Sequence, residues 1–343
     1  MASCGAISLP IVQIHPTRHC NLRCRHCYST SGPKIHECLD VDLIGRFLGE
    51  ARQQGYAVAS FSGGEPLLYP QIFESIASAA ALGFGVTVTT NGMLIDATCA
   101  DRLAEHVGLV AVSIDGPPDL HNSMRASAAA FDGALRGIAA LRAHGPRFGI
   151  IHTVTASSLP HLRWLFDFAR EQGAALLQLH PLEGAGRALT EMRADIPDAS
   201  VGTRTALLST LLSESECRFA VQVDLFSREL IELEPSMIYA SDEATIDADA
   251  PLSALVNPLV LESNGDVVPL AYGFGRKFRI CNIADRSIAD ALSSFRNDGY
   301  LKLRALARRV RQQVLREEDM PFLNWYDRIT QASCEHDEAV TAA

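Results

Sequence analysis

The sequence predicts an α/β fold: a partial (β/α)6 barrel, TIM-like, followed by a small C-terminal module of one β-hairpin and helices. Three observations support this prediction. Short apolar runs alternate with amphipathic helical stretches in the first half of the chain. Six such units occur, as a partial barrel with a parallel sheet requires. Polar and glycine-rich segments follow the apolar runs, which is where barrels place their functional groups.

Each predicted strand is an apolar or β-branched run that a turn or polar segment ends. Residues 85–90 stop at Asn91-Gly92, and residues 109–114 stop at Asp115-Gly116; both dipeptides favour turns. The intervening stretches carry apolar residues at helical spacing. We predict strands at 11–14, 57–62, 85–90, 109–114, 149–155 and 174–179, and helices at 41–54, 70–82, 132–144 and 160–172.

The second half of the chain is predicted to hold a connecting region and a smaller module. Residues 257–269 form a hairpin with Asn264-Gly265 as its two-residue turn, and residues 300–330 form an arginine-rich helix with one apolar face. We divide the chain into a barrel at 1–188, a connecting or substrate region at 189–256, and the hairpin and C-terminal helices at 257–343. The smaller predicted elements are helices at 201–212 and 287–292, a strand at 219–225 and an acidic surface loop at 232–249.

Composition limits the class of protein. The chain has 343 residues, of which 48% are hydrophobic, enough to bury a large core. The net charge of −10 argues against a nucleic-acid partner. No apolar run reaches the length of a membrane span and no N-terminal signal is evident, so we expect no membrane partner. Nine cysteines without disulfide-scaffold spacing predict a reducing cytoplasm.

Three of those cysteines, Cys20, Cys24 and Cys27, lie within eight residues. Soft thiolate ligands suit iron–sulfur clusters, and a closed cluster usually has four of them. Three cysteines can therefore hold three corners of one cubane and leave its fourth iron open, as catalytic metal sites leave a position open. On spacing alone, a zinc site completed by His19 or His26, or a set of buried structural thiols, remains an alternative.

The run His19-Cys20-Asn21-Leu22-Arg23-Cys24-Arg25-His26-Cys27-Tyr28 after the first strand resembles the motif of the radical S-adenosylmethionine (SAM) superfamily. Its flanking residues are similar to the peptide-modifying branch that carries a C-terminal SPASM or Twitch extension. The resemblance implies one [4Fe-4S] cluster on the three cysteines, with SAM bound to the open iron. It further implies an enzyme that cleaves SAM reductively to a 5′-deoxyadenosyl radical, which abstracts hydrogen from a substrate.

Two further segments resemble SAM-binding segments of that family. Ser62-Gly63-Gly64-Glu65-Pro66 follows the second strand, and in the family this stretch holds the methionine part of SAM while the glutamate receives its ammonium group. The two glycines allow close approach of the backbone. The segment His121 to Arg125 resembles the family's His-Asp-x-x-Arg, with Asn122 replacing the aspartate, and implies that Arg125 clamps the SAM carboxylate.

The remaining cofactor-binding candidates lie at strand ends or inside the cysteine motif. The strand-end residues offer hydroxyl, amide or carboxylate groups for the ribose of SAM, although turn formation explains Asn91 and Asp115 equally well. The histidine on the fifth strand either faces SAM or is a satisfied core residue. These candidates are Thr90, Asn91, Ser113, Asp115, His152 and His26.

The hairpin at 257–269 resembles the SPASM/Twitch hairpin with one departure: Leu270 follows Pro269 where relatives carry a cluster-binding cysteine. We therefore predict a degenerate module without a second cluster, and a redox-neutral outcome is then favoured over a net oxidation. Tyr239, Tyr272 and Cys217 are conceivable hydrogen donors to the product.

The expected function is natural-product or ribosomal-peptide modification, with a peptide or small-molecule substrate and a reductant such as flavodoxin or ferredoxin. Two alternatives remain open at this point. One is a radical SAM enzyme that acts on a small metabolite such as a nucleoside or aminosugar. The other is a non-enzymatic zinc or iron–sulfur binding module.

Overall fold

The computed structural model describes residues 9–216, 218–241, 249–317 and 319–341. Every strand predicted for the first half is present, and its ends differ from the predicted ends by at most two residues. The strands in the described residues are β1 (Ile11–Ile14), β2 (Val58–Phe61), β3 (Gly85–Thr90), β4 (Val107–Ser113), β5 (Phe148–Val154), β6 (Leu176–Pro181), β7 (Ala220–Val223), β8 (Phe226–Ser227), β9 (Leu259–Leu261), β10 (Asp266–Pro269), β11 (Cys281–Asn282) and β12 (Phe322–Leu323).

Helices connect the strands, and local capping fixes where several of them begin. The Asp40 side chain accepts a hydrogen bond from the Asp42 amide, and Asp96 accepts one from the Cys99 amide, as N-cap residues do. The helices are α1 (Val41–Gln53), α2 (Ile72–Ala81), α3 (Ala97–Ala104), α4 (Pro118–Arg125), α5 (Ala130–His144), α6 (Leu162–Gln172), α7 (Ala188–Glu191), α8 (Ala199–Glu216), α9 (Arg228–Leu233), α10 (Leu252–Leu255), α11 (Ile288–Ser294), α12 (Tyr300–Arg316) and α13 (Trp325–Thr341). In the described ranges, none of these helices combines the length and the apolar character that crossing a bilayer demands.

Three predictions for the second half were wrong in detail. The helix predicted at 300–330 is two helices, because α12 ends at Arg316 and α13 begins only at Trp325; Pro321 between them has no amide hydrogen to donate to a continuing helix. The predicted acidic loop begins with α9 and a 3-10 turn at Pro235–Ile238, and its residues 242–248 lie outside the described part of the chain. The hairpin turn spans 262–265, so Ser263 and Asn264 are its central residues in place of Asn264 and Gly265; a hydrogen bond of 2.9 Å from the Gly265 amide to the Glu262 carbonyl closes it.

The described strands form one large sheet in the order β11-β10-β9-β1-β2-β3-β4-β5-β6-β7. Neighbours from β9 to β7 in this order are parallel, which confirms the predicted α/β class; β10 and β11 are antiparallel additions. On one side of the six predicted strands, β9 pairs with β1, and Ile14 lies opposite Leu261. On the other side, β7 pairs with β6. The sheet therefore runs through all three predicted segments, and the division at 188 and 256 stays a prediction.

The two faces of the central strands differ sharply in burial. On one face, side chains such as Ile14, Phe61 and Val112 are fully buried under the helices. On the other face, side chains such as Ser113 and Gln178 are only half-buried and mostly polar. Because side chains alternate along a strand, this pattern gives the sheet one closed apolar face and one open polar face. A polar compound can be bound at the open face.

Candidate functional site

The cysteine loop follows β1 directly, at the carboxyl end of the parallel sheet. Cys20 and Cys24 are 7% and 8% exposed, and Cys27 is half-buried. Burial, together with the smaller effect of the neighbouring charges of Glu65, Cys24 and Cys27, raises the pKa of the Cys20 thiol to about 12. The three thiols therefore lie close enough to influence one another in a setting that is poor in water.

These residues fit an iron–sulfur cluster by their donor type. Thiolate sulfur is the ligand that such clusters take from proteins. Metal binding would remove the protons that burial holds on the Cys20 and Cys24 thiols. In the described ranges, no three His, Cys, Asp or Glu side chains are placed to hold a single metal ion. His26, a ligand in the zinc alternative, points its Nε2 toward Asp115 at 3.9 Å.

The segment Gly63-Gly64 packs directly on the backbone that leads into the cysteine loop. The Gly64 amide donates to the Thr17 carbonyl at 2.8 Å, and the Glu65 amide donates to the His19 carbonyl at 2.8 Å. A Cβ on Gly63, whose φ is +113°, would lie 2.7 Å from the Thr17 carbonyl oxygen, and a Cβ on Gly64 would overlap the His19 carbonyl. We expected these glycines to approach a ligand; the described close approach is to the chain itself.

Glu65 is buried, with 1% of its surface exposed, beside the cysteine loop. Its carboxylate accepts hydrogen bonds from the Thr90 hydroxyl at 2.7 Å, the Asn91 amide at 2.9 Å and the Leu67 amide at 3.2 Å, where Pro66 opens a 3-10 turn. Burial raises the pKa of Glu65, and these bonds offset part of that rise. A carboxylate accepts about four hydrogen bonds, so one position remains for an ammonium group. Thr90 thus contacts the Glu65 carboxylate, and any effect that it has on a bound ammonium group would be indirect.

Asn91 links the end of β3 to the cysteine loop. Its Nδ2 donates to Asn21 Oδ1 at 2.8 Å, and its Oδ1 accepts from the Met93 amide at 3.0 Å. The second contact is the local turn that asparagine commonly forms. Met93 in turn packs against the side chains of Cys20, Leu22, Cys24 and Cys27. The contacts of Asn91 support the turn-forming alternative and add a link to the loop that the sequence did not predict.

Asp115 and Arg125 form a buried ion pair beside the cysteine loop. Arg125 Nε donates to Asp115 Oδ2 at 2.6 Å, and Arg125 Nη1 lies 3.9 Å from Cys24 Sγ. Burial alone would raise the pKa of Asp115, but the charge of Arg125 and, more weakly, the neighbouring histidines His26 and His121 hold it well below its usual range. We predicted these two residues as separate SAM ligands; the structure joins them. Arginine has five N–H donors, and the bond to Asp115 does not occupy all of them. Arg125 could therefore still bind the SAM carboxylate, and this role stays a prediction.

Ser113 and His152 lie on opposite faces of the sheet. Ser113 is opposite Ile151 in register, on the open polar face, where it is half-buried. His152 is next in sequence to Ile151 and is buried on the closed face. Its Nδ1 lies 3.0 Å from the Ile114 carbonyl and its Nε2 lies 3.1 Å from Ser158 Oγ. Both ring nitrogens have hydrogen-bond partners, which favours the core alternative, and the SAM-facing role stays a prediction.

Sequence reasoning missed the exit of β6 as a second support of the cysteine loop. Arg187 donates from Nε to the Cys24 carbonyl at 2.7 Å and from Nη2 to the Ser31 carbonyl at 2.8 Å. The sequence holds no spacing signal for this contact, because it joins segments more than 150 residues apart.

A histidine–carboxylate group at the ends of β6 and β7 was also missed. His180 Nδ1 lies 2.9 Å from Asp224 Oδ2, and its Nε2 lies 3.3 Å from Glu183 Oε1. Burial would lower the pKa of His180, but the bonds to both carboxylates raise it well above its usual value. The predicted strand at 219–225 carries Asp224 near its end, and His180 follows the predicted strand at 174–179. Because the carboxyl ends of parallel strands meet at one edge of a sheet, these two positions could have predicted the contact between His180 and Asp224.

The His180 pair gives a testable pH dependence. We expect His180→Gln to lower the free energy of unfolding by about 1 kcal/mol or less, since a third of the side chain is exposed and water screens the pair. Because folding raises the pKa of His180, the wild-type advantage is full below about pH 6.5 and is lost as the pH rises through the raised pKa. Urea unfolding across this range measures it. His144→Gln, which removes an exposed pair with Asp101, is the control. A difference that stays constant with pH contradicts the assignment.

Comparison with known proteins agrees with this arrangement. The sequence model of the Radical SAM superfamily matches residues 14–159, which include the cysteine loop, Glu65 and the Asp115–Arg125 pair. Residues 14–159 are a radical SAM domain. The family and the SAM-bound structures of the same fold support SAM and a [4Fe-4S] cluster as the cofactors of this domain.

The chain is also similar to individual proteins, of which two curated relatives and one solved structure are described here. Fe-coproporphyrin III synthase of Methanosarcina barkeri is 32% identical over 190 residues, which cover 54% of this chain and 47% of that enzyme. The cysteine-type anaerobic sulfatase-maturating enzyme of Clostridium perfringens is 25% identical over 309 residues, 83% of this chain and 80% of that enzyme. Streptococcus suis SuiB bound to S-adenosylmethionine has the same fold, with a TM-score of 0.67 at 17% identity over 87% of this chain and 68% of SuiB. The chain spans about half the length of this synthase and of two other curated relatives that it matches.

Proposed function

We propose that this protein is a radical SAM enzyme that modifies a peptide by abstracting a hydrogen atom from it. One observation carries the proposal: the three-cysteine loop is fixed at the carboxyl end of the sheet, inside a segment that matches the radical SAM family. When bound, a [4Fe-4S] cluster and SAM together supply reductive cleavage of the sulfonium and hydrogen-atom abstraction. A flavodoxin or ferredoxin would be the reductant.

The residues of the chain would divide the work of holding these cofactors. Cys20, Cys24 and Cys27 would bind the cluster. Glu65, whose carboxylate retains an open acceptor position, would receive the ammonium group of SAM. Arg125 would offer its free N–H groups to the SAM carboxylate while Asp115 fixes its orientation. Apart from the half-buried Cys27, these groups are buried, and a reactive radical requires such exclusion of water.

A peptide substrate has the stronger support. One relative that covers 83% of this chain is named as a sulfatase-maturating enzyme, and SuiB, which shares the fold, has been solved with its precursor peptide SuiA. A small molecule is the second candidate, because three relatives of 30–35% identity are named for haem and coproporphyrin synthesis. The half-buried polar face of the sheet, with Ser113 and Gln178, offers hydrogen-bonding groups to either substrate.

The C-terminal module is proposed to lack a second cluster. Leu270 occupies the position where the resemblance leads one to expect a cysteine, and it is buried in the core. Ion pairs fasten the hairpin instead: Arg276 bonds Glu262 at 2.6 Å and Asp266 at 2.9 Å, and Arg279 bonds Asp266 at 2.8 Å. Without a second cluster to accept an electron, a redox-neutral reaction is favoured.

Of the three hydrogen donors considered, Tyr272 has the most suitable position. Its ring centroid is 5.6 Å from that of Tyr28, which directly follows Cys27, and 4.8 Å from that of His15. The Tyr239 hydroxyl is bonded to both backbone groups of Asn257, which suits a structural role. Cys217 lies outside the described residues.

Anaerobic reconstitution tests the proposal. We expect about four irons per chain, the visible absorbance of an iron–sulfur cluster, and release of 5′-deoxyadenosine from SAM under dithionite. About eight irons per chain would overturn the single-cluster proposal. Cys281→Ala, which removes a buried cysteine of the C-terminal module, should leave the iron content unchanged.

The substrate needs a separate test. A precursor peptide encoded beside this gene should change in mass after incubation with the enzyme and SAM. Failure with the peptide and turnover of a small molecule would favour the second candidate.

A further inference from the structure

The exit of β6 grips the cysteine loop through the loop's own backbone. The Arg187 guanidinium, 7% exposed, donates to the Cys24 carbonyl at 2.7 Å and to the Ser31 carbonyl at 2.8 Å. The Arg187 amide donates to the Cys27 carbonyl at 3.1 Å. Two of these three acceptors belong to residues that carry predicted cluster ligands. A shift of Arg187 would therefore move the Cα atoms from which those thiolates project.

Gly186 brings the same exit into close contact with the end of the loop. Its φ is +54°, a conformation that side chains disfavour, and a Cβ there would overlap the carbonyl oxygens of Tyr28 and Cys27. The contact is between two backbones, so no flexible side chain can give way. An added methyl group would push the Cys27 end of the loop outward.

We propose that Gly186 and Arg187 are positioning residues for the cluster: they fix the backbone of Cys24 and Cys27 so that the thiolates meet the iron atoms in one geometry. This inference rests on the proposed function, because it presumes a cluster at the loop. Groups that orient the ligands of a metal commonly affect its affinity by about 10–100-fold. An arginine fork reaches two carbonyls at once, whereas a lysine ammonium is a single point of contact.

Two variants and two matched controls test the inference on the full chain after anaerobic reconstitution. The variants are Gly186→Ala and Arg187→Lys. Gly173→Ala is the first control, since Gly173 also has positive φ (+73°) but a Cβ there meets nothing within 4 Å. Arg23→Lys is the second control, because Arg23 joins the same two segments through the exposed carboxylate of Glu191 and not through the loop carbonyls.

Three readouts separate positioning from folding: the rate of iron release to a chelator, the EPR spectrum of the reduced cluster with and without SAM, and thermal unfolding of the metal-free chain. We expect both variants to release iron about tenfold faster or more and to show an altered spectrum, while both controls match the wild type. Should Gly186→Ala fail to fold, Arg187→Lys decides alone, because it keeps the charge and most of the stem.

Wild-type iron retention and an unchanged spectrum in the folded variants would overturn the inference and leave the proposed function intact. Equal iron loss in Gly173→Ala would also overturn it, since general destabilisation would then explain the effect. A wild-type chain that takes up no cluster would defeat the proposed function, and the inference with it.

Discussion

Replacing Cys24 by alanine is expected to abolish cluster binding and SAM cleavage together. Cys24 is buried, contacts Arg125 and would bind one of three protein-ligated irons. Two cysteines cannot hold a cubane that already lacks a fourth protein ligand. Iron should fall from about four per chain toward zero, and 5′-deoxyadenosine should fall below detection. Metal analysis and chromatography of the SAM products measure the two effects.

Cys38→Ala provides the control for thiol removal. Cys38 is exposed, and its thiol donates to the backbone carbonyl of His36, outside the three-cysteine motif. We expect this variant to keep the iron and the SAM cleavage of the wild type. Full turnover by Cys24→Ala, or equal loss in both variants, would contradict the assignment of the cluster ligands.

Asp115→Asn is expected to destabilise the metal-free chain by about 3–5 kcal/mol, the usual effect of leaving one partner of a buried ion pair unpaired. The Asp115 side chain is fully buried and that of Arg125 is 9% exposed, so water cannot compensate the remaining guanidinium charge. The depressed pKa of Asp115 shows how strongly the folded chain stabilises its charge. Urea unfolding of the chain without cofactors measures the change.

A double mutant separates the buried charge from the lost hydrogen bond. Asp115→Asn combined with Arg125→Met removes both charges, and it should recover part of the stability lost in Asp115→Asn alone. Asp167→Asn is the surface control: Asp167 bonds Arg163 at 3.0 Å and Arg170 at 2.7 Å, and water screens both pairs, so we expect about 0–1 kcal/mol. If Asp115→Asn is as mild as this control, the buried pair does not hold the site together.

The sequence predicted the sheet well because local patterns determine strands. The β-branched run at 85–90 and the turn dipeptide after it place β3 at its observed bounds. The sequence predicted the long C-terminal helix less well. The apolar spacing that predicts a helix at 300–330 does not reveal the break between Arg316 and Trp325, where β12 pairs with β8. That pairing joins residues nearly a hundred positions apart, which no local pattern reports.

The candidate site shows the same division. The three cysteines were predicted from spacing, and Gly63 to Glu65 from resemblance, because short motifs keep their chemistry on neighbouring residues. The partners of those residues could not be predicted. Arg125 was expected to bind SAM, yet its nearest charged partner is Asp115, and Arg187 was not expected at the cysteine loop at all.

The sequence alone was enough to predict the type of metal ligand and the fold class: three cysteine thiolates lie on one short loop, and strands alternate with helices after it. Which side of each strand is open to a ligand, and which groups hold the loop, were decided only by the tertiary structure. The physical reason is that side-chain alternation and parallel register bring distant strand ends to one edge of the sheet. There Glu65, Arg125 and Arg187 contact the cysteine loop from three separate parts of the chain.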